Sequence, residues 1–125
     1  MEEKKIILVV EDEPSLVKAM SDKFDKEGFS VLLAHDGKKG LELALEHHPD
    51  ILLLDIMMPK MGGIPMLEEL RKDDWGKGVP VIVLTNLADT QTVSDVAERG
   101  VHDYLVKSDW KLEDIVEKVK EKLGM

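Results

Sequence analysis

The 125-residue chain contains no cysteine. That excludes disulfides, a thiol nucleophile and any thiolate metal site, and it fits a reducing compartment. No apolar stretch approaches the ~20 residues that span a bilayer, and the opening Met1-Glu2-Glu3-Lys4-Lys5 lacks the apolar core and small-residue cleavage site of a secretory signal. The expected location is therefore cytoplasmic, without a membrane partner. Positive charge is also in deficit: 17 Lys and Arg against 26 Asp and Glu leave a net charge of −9. That balance argues against nucleic acid as a direct partner, because such contacts need a cationic surface to displace counterions. There is no tag, linker, low-complexity stretch or internal repeat.

What the chain does have is 43% apolar and 34% charged residues, well mixed, the composition of a globular protein. Residues 1–125 are expected to form a single domain burying roughly 65–70% of the surface its unfolded chain exposes. Apolar runs alternate with amphipathic ones. Strands are expected at Ile6 to Val10, Ser30 to Ala34, Ile51 to Leu54, Val79 to Leu84 and Val101 to Val106. Helical spacing is expected over Pro14 to Glu27 (Leu16, Met20, Phe24) and Lys38 to His47 (Leu41, Ala44, Leu45), then over Pro65 to Lys72 (Met66, Leu67, Leu70). Thr90 to Arg99 (Val93, Val96, Ala97) and Lys111 to Leu123 (Leu112, Ile115, Val116, Val119, Leu123) complete the set. Gly28, Gly100 and Gly124 follow helical runs, and Pro14 and Pro65 sit at helix starts, where a missing N–H costs nothing. Five strand–helix repeats with continuously apolar strands predict an α/β fold, a doubly wound five-stranded parallel sheet covered by five helices.

In such folds ligands sit beyond the carboxyl ends of the strands, where strand order reverses. Four strands deliver polar groups to that edge: Glu11-Asp12-Glu13, Asp55, Thr85 and Lys107. Converging carboxylates repel one another unless a cation lies among them, and a hard divalent ion suits an all-oxygen donor set. Mg²⁺ is the expected ion, with Mn²⁺ as a substitute, because it takes one or two carboxylates plus waters and phosphate oxygens. Lys107 adds a fixed positive charge and Thr85 a hydroxyl donor, both suited to phosphoryl oxygens. A carboxylate nucleophile, a metal and a cation are the parts needed to form an aspartyl phosphate.

Each residue also has a plainer role. Asp55 is in the place of a turn former, Glu11 and Asp12 of first-helix caps, Lys107 of a surface lysine, Thr85 of a cap, and Tyr104 of a half-buried strand aromatic. Met57, Met58, Met61 and Met66 read as packing residues, and His35, His47, His48 and His102 as structural or exposed.

The segments Ile7-Leu8-Val9-Val10-Glu11-Asp12-Glu13-Pro14, Leu52-Leu53-Leu54-Asp55-Ile56-Met57-Met58-Pro59-Lys60-Met61-Gly62-Gly63, Val83-Leu84-Thr85 and Tyr104-Leu105-Val106-Lys107 resemble the receiver domains of two-component response regulators. The resemblance covers essentially the whole chain and implies a flavodoxin-like (βα)5 fold of the stand-alone, CheY-like type. It implies that Asp55 accepts a phosphoryl group from a sensor histidine kinase, a histidine phosphotransfer protein or a small donor. Glu11, Asp12, Asp55 and the backbone carbonyl of Met57 would hold Mg²⁺. Lys107 would pair with the phosphoryl group, Thr85 would bond one of its oxygens, and Tyr104 would report the switch. A downstream protein target would then read the surface of the fourth helix, fifth strand and fifth helix. Such a protein is no turnover enzyme, since it catalyses only its own phosphorylation and dephosphorylation.

Two positions depart from the family pattern. Asn86 follows Thr85 where a small residue is usual, which predicts narrower access. Ser108 replaces the usual proline after Lys107, and a trans Lys107–Ser108 bond is expected because a cis bond before a non-proline residue costs ~2.5–4 kcal/mol. Two rival readings stay open. A haloacid-dehalogenase-type phosphatase also uses a strand-end Asp with Mg²⁺, but it needs a second acid where this chain has Met57. A phosphorylation-independent binding module of the same fold would bind its partner equally well as Asp55→Asn.

Overall fold

The structure, a computed structural model, describes residues 4–56, 58, 60–85 and 90–125, without the side chains of Thr90 and Asp109. Five runs rich in Val, Ile and Leu, each strand-length and too short for a stable helix, form β1 (Ile6–Val10), β2 (Ser30–Ala34), β3 (Ile51–Asp55), β4 (Val81–Thr85) and β5 (Asp103–Val106). They make one parallel sheet in the order β2-β1-β3-β4-β5. Between them lie α1 (Pro14–Lys26), α2 (Gly37–His47), α3 (Gly63–Lys72) and α4 (Thr90–Glu98). A single 3-10 turn, Lys107–Asp109, then leads into α5 (Leu112–Lys122). Among the described residues no helix is long and apolar enough to cross a membrane.

Alternation along the strands divides the core in two. Ile7, Val9, Ile51, Leu53, Ile82 and Leu84 face Met20 and Phe24 of α1 and Ile115, Val116 and Val119 of α5. Leu8, Val10, Leu52, Leu54, Val81 and Val83 face Ala44 of α2, Met66, Leu67 and Leu70 of α3, and Val96 of α4. Each fully buried aliphatic chain contributes roughly 1.5–3 kcal/mol, so burying both faces holds the sheet between two helical layers. The expected doubly wound five-stranded sheet is the one observed.

Several boundaries and faces differ from expectation. β4 starts at Val81 because Pro80 has no N–H for the ladder; its carbonyl accepts from Leu52 N–H at 3.0 Å, and the Val79 carbonyl instead accepts from Arg71 at 2.9 Å. β5 starts at Asp103 because the Val101 N–H closes the end of α4 on the Val96 carbonyl at 2.9 Å. α3 begins at Gly63, two residues before Pro65. A third-position proline still costs no intrahelical bond, since the first four N–H groups of a helix have none. Val17 rather than Leu16 completes the buried stripe of α1, and Leu45 and Val93 are exposed. The Lys107–Ser108 bond is trans, as expected.

Candidate functional site

Strand register, more than any single residue, assembles the polar edge. β1 lies beside β3 with Val10 opposite Leu54, so Glu11 and Asp55, each one residue further on, emerge side by side at the switch between β1 and β3. β3 meets β4 with Asp55 opposite Leu84, and β4 meets β5 with Thr85 opposite Val106. Lys107 therefore follows directly beyond Thr85's partner. Tyr104 lies opposite Val83, on the same face as Thr85 because side chains two apart on a strand point the same way.

The result is a polar cluster sunk into an apolar frame. Glu11 is 1% exposed, Asp55 5% and Thr85 1%, while Asp12 is exposed. One carboxylate oxygen from each of Glu11, Asp12 and Asp55 lies within 4.8 Å of the others. Lys107 donates a hydrogen bond to Glu11 Oε1 and stands 3.4 Å from Asp55 Oδ2. Glu11 Oε2 accepts from the Asp12 N–H at 2.9 Å. Glu13, and not Glu11 or Asp12, occupies the N-cap of α1, so helix capping does not account for the two acids.

The electrostatics follow from three carboxylates facing one ammonium among the described residues. Burial raises the Glu11 carboxyl most, its hydrogen bond with Asp55 adds to this, and Lys107 offsets only part, which leaves Glu11 at about 7 against an ordinary 4.5. Burial by itself would lower Lys107; its hydrogen bond to Glu11 and the Asp55 and Glu11 charges outweigh that and raise it. At Glu11, burial and the facing Asp55 thus outweigh the one lysine, as in a cluster short of positive charge. Its donors are all oxygen, which fits a hard divalent cation.

The loop between Asp55 and α3 is held at both ends. Gly63 N–H donates to the Ile56 carbonyl and Gly37 N–H, from the start of α2, donates to the Met61 carbonyl, both at 2.9 Å. Lys60 adopts φ 66°, and its ammonium lies 3.9 Å from Asp36 Oδ2. Asp36, Gly37 and Lys60 were absent from the sequence-derived site. Only one signal pointed to them: a glycine in the first turn of a helix, where it is a poor helix former. Met57 and Asn86, with their expected roles as ligand carbonyl and access-narrowing residue, lie outside the described residues. Beside Lys107 a hollow of about 440 Å³ is lined by Glu13, Ser15, Leu16, Ala19 and Ser108.

All four histidines are exposed as expected, and His48 stacks on Trp75 with centroids 4.3 Å apart and planes 7° from parallel. Met66 is fully buried, and Met58 and Met61 pack against the α2–α3 side of the core. The thioethers there are packing groups.

Residues 7–120 match the family described as the response regulator receiver domain, and the chain belongs to that family. It is 38% identical over 117 residues to the DNA-binding response regulator MtrA of Mycolicibacterium smegmatis, covering 94% of this chain and 50% of MtrA. Among solved structures it superposes on a CheY-like receiver domain protein from Methanospirillum hungatei with a TM-score of 0.90 at 28% identity, covering 98% of this chain and 95% of that one. It superposes equally widely, with a TM-score of 0.88 at 27% identity over 98% of this chain and 100% of the other, on the receiver domain of the Pseudomonas aeruginosa sensor histidine kinase PA1611, whose structure has a magnesium ion coordinated in the active site cleft. The chain spans half or less of the length of the curated relatives it matches. The expectation of no nucleic-acid partner finds no support there, since MtrA is named as a DNA-binding regulator.

Proposed function

We propose that this receiver domain is a Mg²⁺-dependent phosphoacceptor switch centred on Asp55. The observation that carries the reading is the buried excess of carboxylate: Glu11, Asp12 and Asp55 bring oxygens within 4.8 Å of one another, with Lys107 against two of them. An Asp55 oxygen attacks phosphorus. The bond from phosphorus to the donor atom breaks, and its electron pair leaves with that atom, an imidazole nitrogen for a phosphohistidine or the acetate oxygen for acetyl phosphate. Lys107 neutralises charge on the phosphoryl oxygens, and the Thr85 hydroxyl donates to one of them. Glu11, Asp12, Asp55 and the Met57 carbonyl would hold Mg²⁺, which when bound shields Asp55 from the incoming anion; the magnesium in the PA1611 receiver domain supports that choice.

The donor is a sensor histidine kinase or a histidine phosphotransfer protein, in the cytoplasm. The reader is a downstream protein on the α4-β5-α5 face, where Val93 leaves an apolar side chain 43% exposed. Tyr104, on the Thr85 face of the sheet, relays occupancy of the site towards that surface. The chain turns over no separate substrate.

Intact-protein mass spectrometry after incubation with acetyl phosphate tests this. The expected result is one base-labile phosphoryl group that requires Mg²⁺ and is lost in EDTA and in Asp55→Asn. An adduct that survives Asp55→Asn would contradict the assignment. No adduct, with no response to fluoroberyllate, would leave the phosphorylation-independent binding module.

A further inference from the structure

We propose that Glu13 is a specificity-determining residue for the phosphoryl donor: it lines the hollow that receives the departing group, favouring a protonated imidazole there and opposing a carboxylate. The inference rests on the function proposed above. The hollow, about 440 Å³, is walled by Glu13, Ser15, Leu16 and Ala19 on one side and by Lys107 and Ser108, from the turn after β5, on the other. That volume suits a ring-sized ligand. Lys107 joins the hollow to the phosphoacceptor cluster, because the same side chain bonds Glu11 and stands 3.4 Å from Asp55 Oδ2. Hollows elsewhere, beside Lys23 and Lys120 and beside His48 and Trp75, share no residue with that cluster. In-line displacement sends the leaving group away from Asp55, and the hollow at Lys107 is the adjoining space that holds it.

The walls differ in what they offer. Leu16 and Ala19, three positions apart on α1, make an apolar wall for a flat ring. Leu16 is free for this because Val17 takes the place in the buried stripe, which leaves Leu16 half-buried. Ser15 and Ser108 are exposed and polar. Glu13 brings the one carboxylate of the lining. It stands at the N-cap of α1, yet its side chain makes no capping hydrogen bond, so helix capping does not account for it. A phosphorylated imidazole reacts most readily with a proton on its other ring nitrogen. The Asp55 oxygen bonds phosphorus, the phosphorus–nitrogen bond breaks with its electron pair on nitrogen, and the ring departs as neutral imidazole. Such a ring enters the hollow as a cation, which Glu13 stabilises. From acetyl phosphate the electron pair of the breaking phosphorus–oxygen bond departs with acetate, and a full negative charge develops beside Glu13, which opposes it.

The test is the rate of adduct formation on Asp55 with two donors, phosphoimidazole and acetyl phosphate, in saturating Mg²⁺, for the parent, Glu13→Gln and Glu13→Asp. The quantity read is the ratio of the two rates, which a general disturbance of the site leaves unchanged. Glu13→Gln is expected to lower the preference for phosphoimidazole about five-fold, the size of one unit-charge interaction at contact distance in water. Glu13→Asp, which keeps the charge, should retain most of the preference, and about 1 M salt should bring the parent's ratio towards that of Glu13→Gln. A ratio that is the same in Glu13→Gln and the parent would overturn the specificity role, as would both rates changing by one common factor. Failure of the parent to form an adduct on Asp55 with either donor would overturn the phosphoacceptor reading, and the role of Glu13 with it.

Discussion

Glu11 and Glu27 are both glutamates bonded to a lysine more than ninety positions away, Lys107 and Lys120 respectively, yet their carboxyls shift in opposite directions. The hydrogen bond to Lys120 at 2.6 Å lowers Glu27, with Lys23 at 3.7 Å adding to it. Glu11 rises because burial and the facing Asp55 outweigh the one lysine they share. Asp103 of β5 follows Glu27: burial resists, but Lys122 at 2.6 Å and Lys118 at 3.1 Å prevail and lower it. The lesson is that a lysine contact does not mark a functional carboxylate. The ratio of acids to cations does, in a place where water cannot screen them. Glu27 and Asp103 each face two lysines, and their ion pairs tie elements of the fold together. At the carboxyl edge of the sheet three acids face one lysine among the described residues, an arrangement that could hold a metal ion.

The largest effect that would sharpen this contrast is on stability. Lys107→Ala leaves two buried carboxylates without their ammonium, and urea unfolding in EDTA at neutral pH should show a loss of about 3 kcal/mol, the order expected for breaking a buried pair. Lys120→Ala, on the exposed flank, should change stability far less. Similar losses in the two variants would break the comparison.

Next in size is a pH effect. In the metal-free chain the folded Glu11 value lies above the unfolded one, so its contribution to stability is fully present below about 4.5 and is lost as pH rises through about 7. Going from pH 5 to pH 7.5 in EDTA should therefore cost about 2 kcal/mol, and saturating Mg²⁺ should flatten the slope. Glu27 and Asp103 act with the opposite sign: their stabilisation is present above the unfolded values of 4.5 and 3.8 and is lost as pH falls through their lowered ones. A metal-free chain with no loss between pH 5 and 7.5 would show that Glu11 is not under the strain described. The smallest effect is expected for Asp103→Asn, which keeps the side chain's shape and removes one partly screened charge; a shift in midpoint as large as that of Lys107→Ala would place the two regions in one class.

Much of this was legible in the sequence because a parallel sheet turns one-dimensional order into position. Each continuous apolar run had to be a doubly covered strand, so the residue closing it had to stand at the carboxyl edge, and Glu11, Asp55, Thr85 and Lys107 were found there. The five-residue helical stripe of α5, Leu112 to Leu123, held for the same reason, since its 3.6-residue period has only one way to bury. Less legible were contacts that depend on how elements approach one another. Leu45 and Val93 satisfy the helical period yet face outward, because periodicity gives the direction of a face but not its width. The approach of Gly37 to Met61 left almost no trace, for a glycine after Asp36 reads first as ordinary helix-start chemistry. The three carbonyls gathered by Arg71, those of Gly76, Val79 and Arg99, come from segments that no spacing rule connects.

The most direct measurement is the titration of the Glu11 carboxyl by carbon-13 NMR, in EDTA and in saturating Mg²⁺. A midpoint near 7 in EDTA, falling to or below the ordinary glutamate range when Mg²⁺ is added, is the result predicted for a carboxylate cluster short of one cation. An ordinary midpoint near 4.5 that ignores Mg²⁺ would contradict the account, because burial and the facing Asp55 would then not outweigh Lys107 and no cation would be felt at the edge.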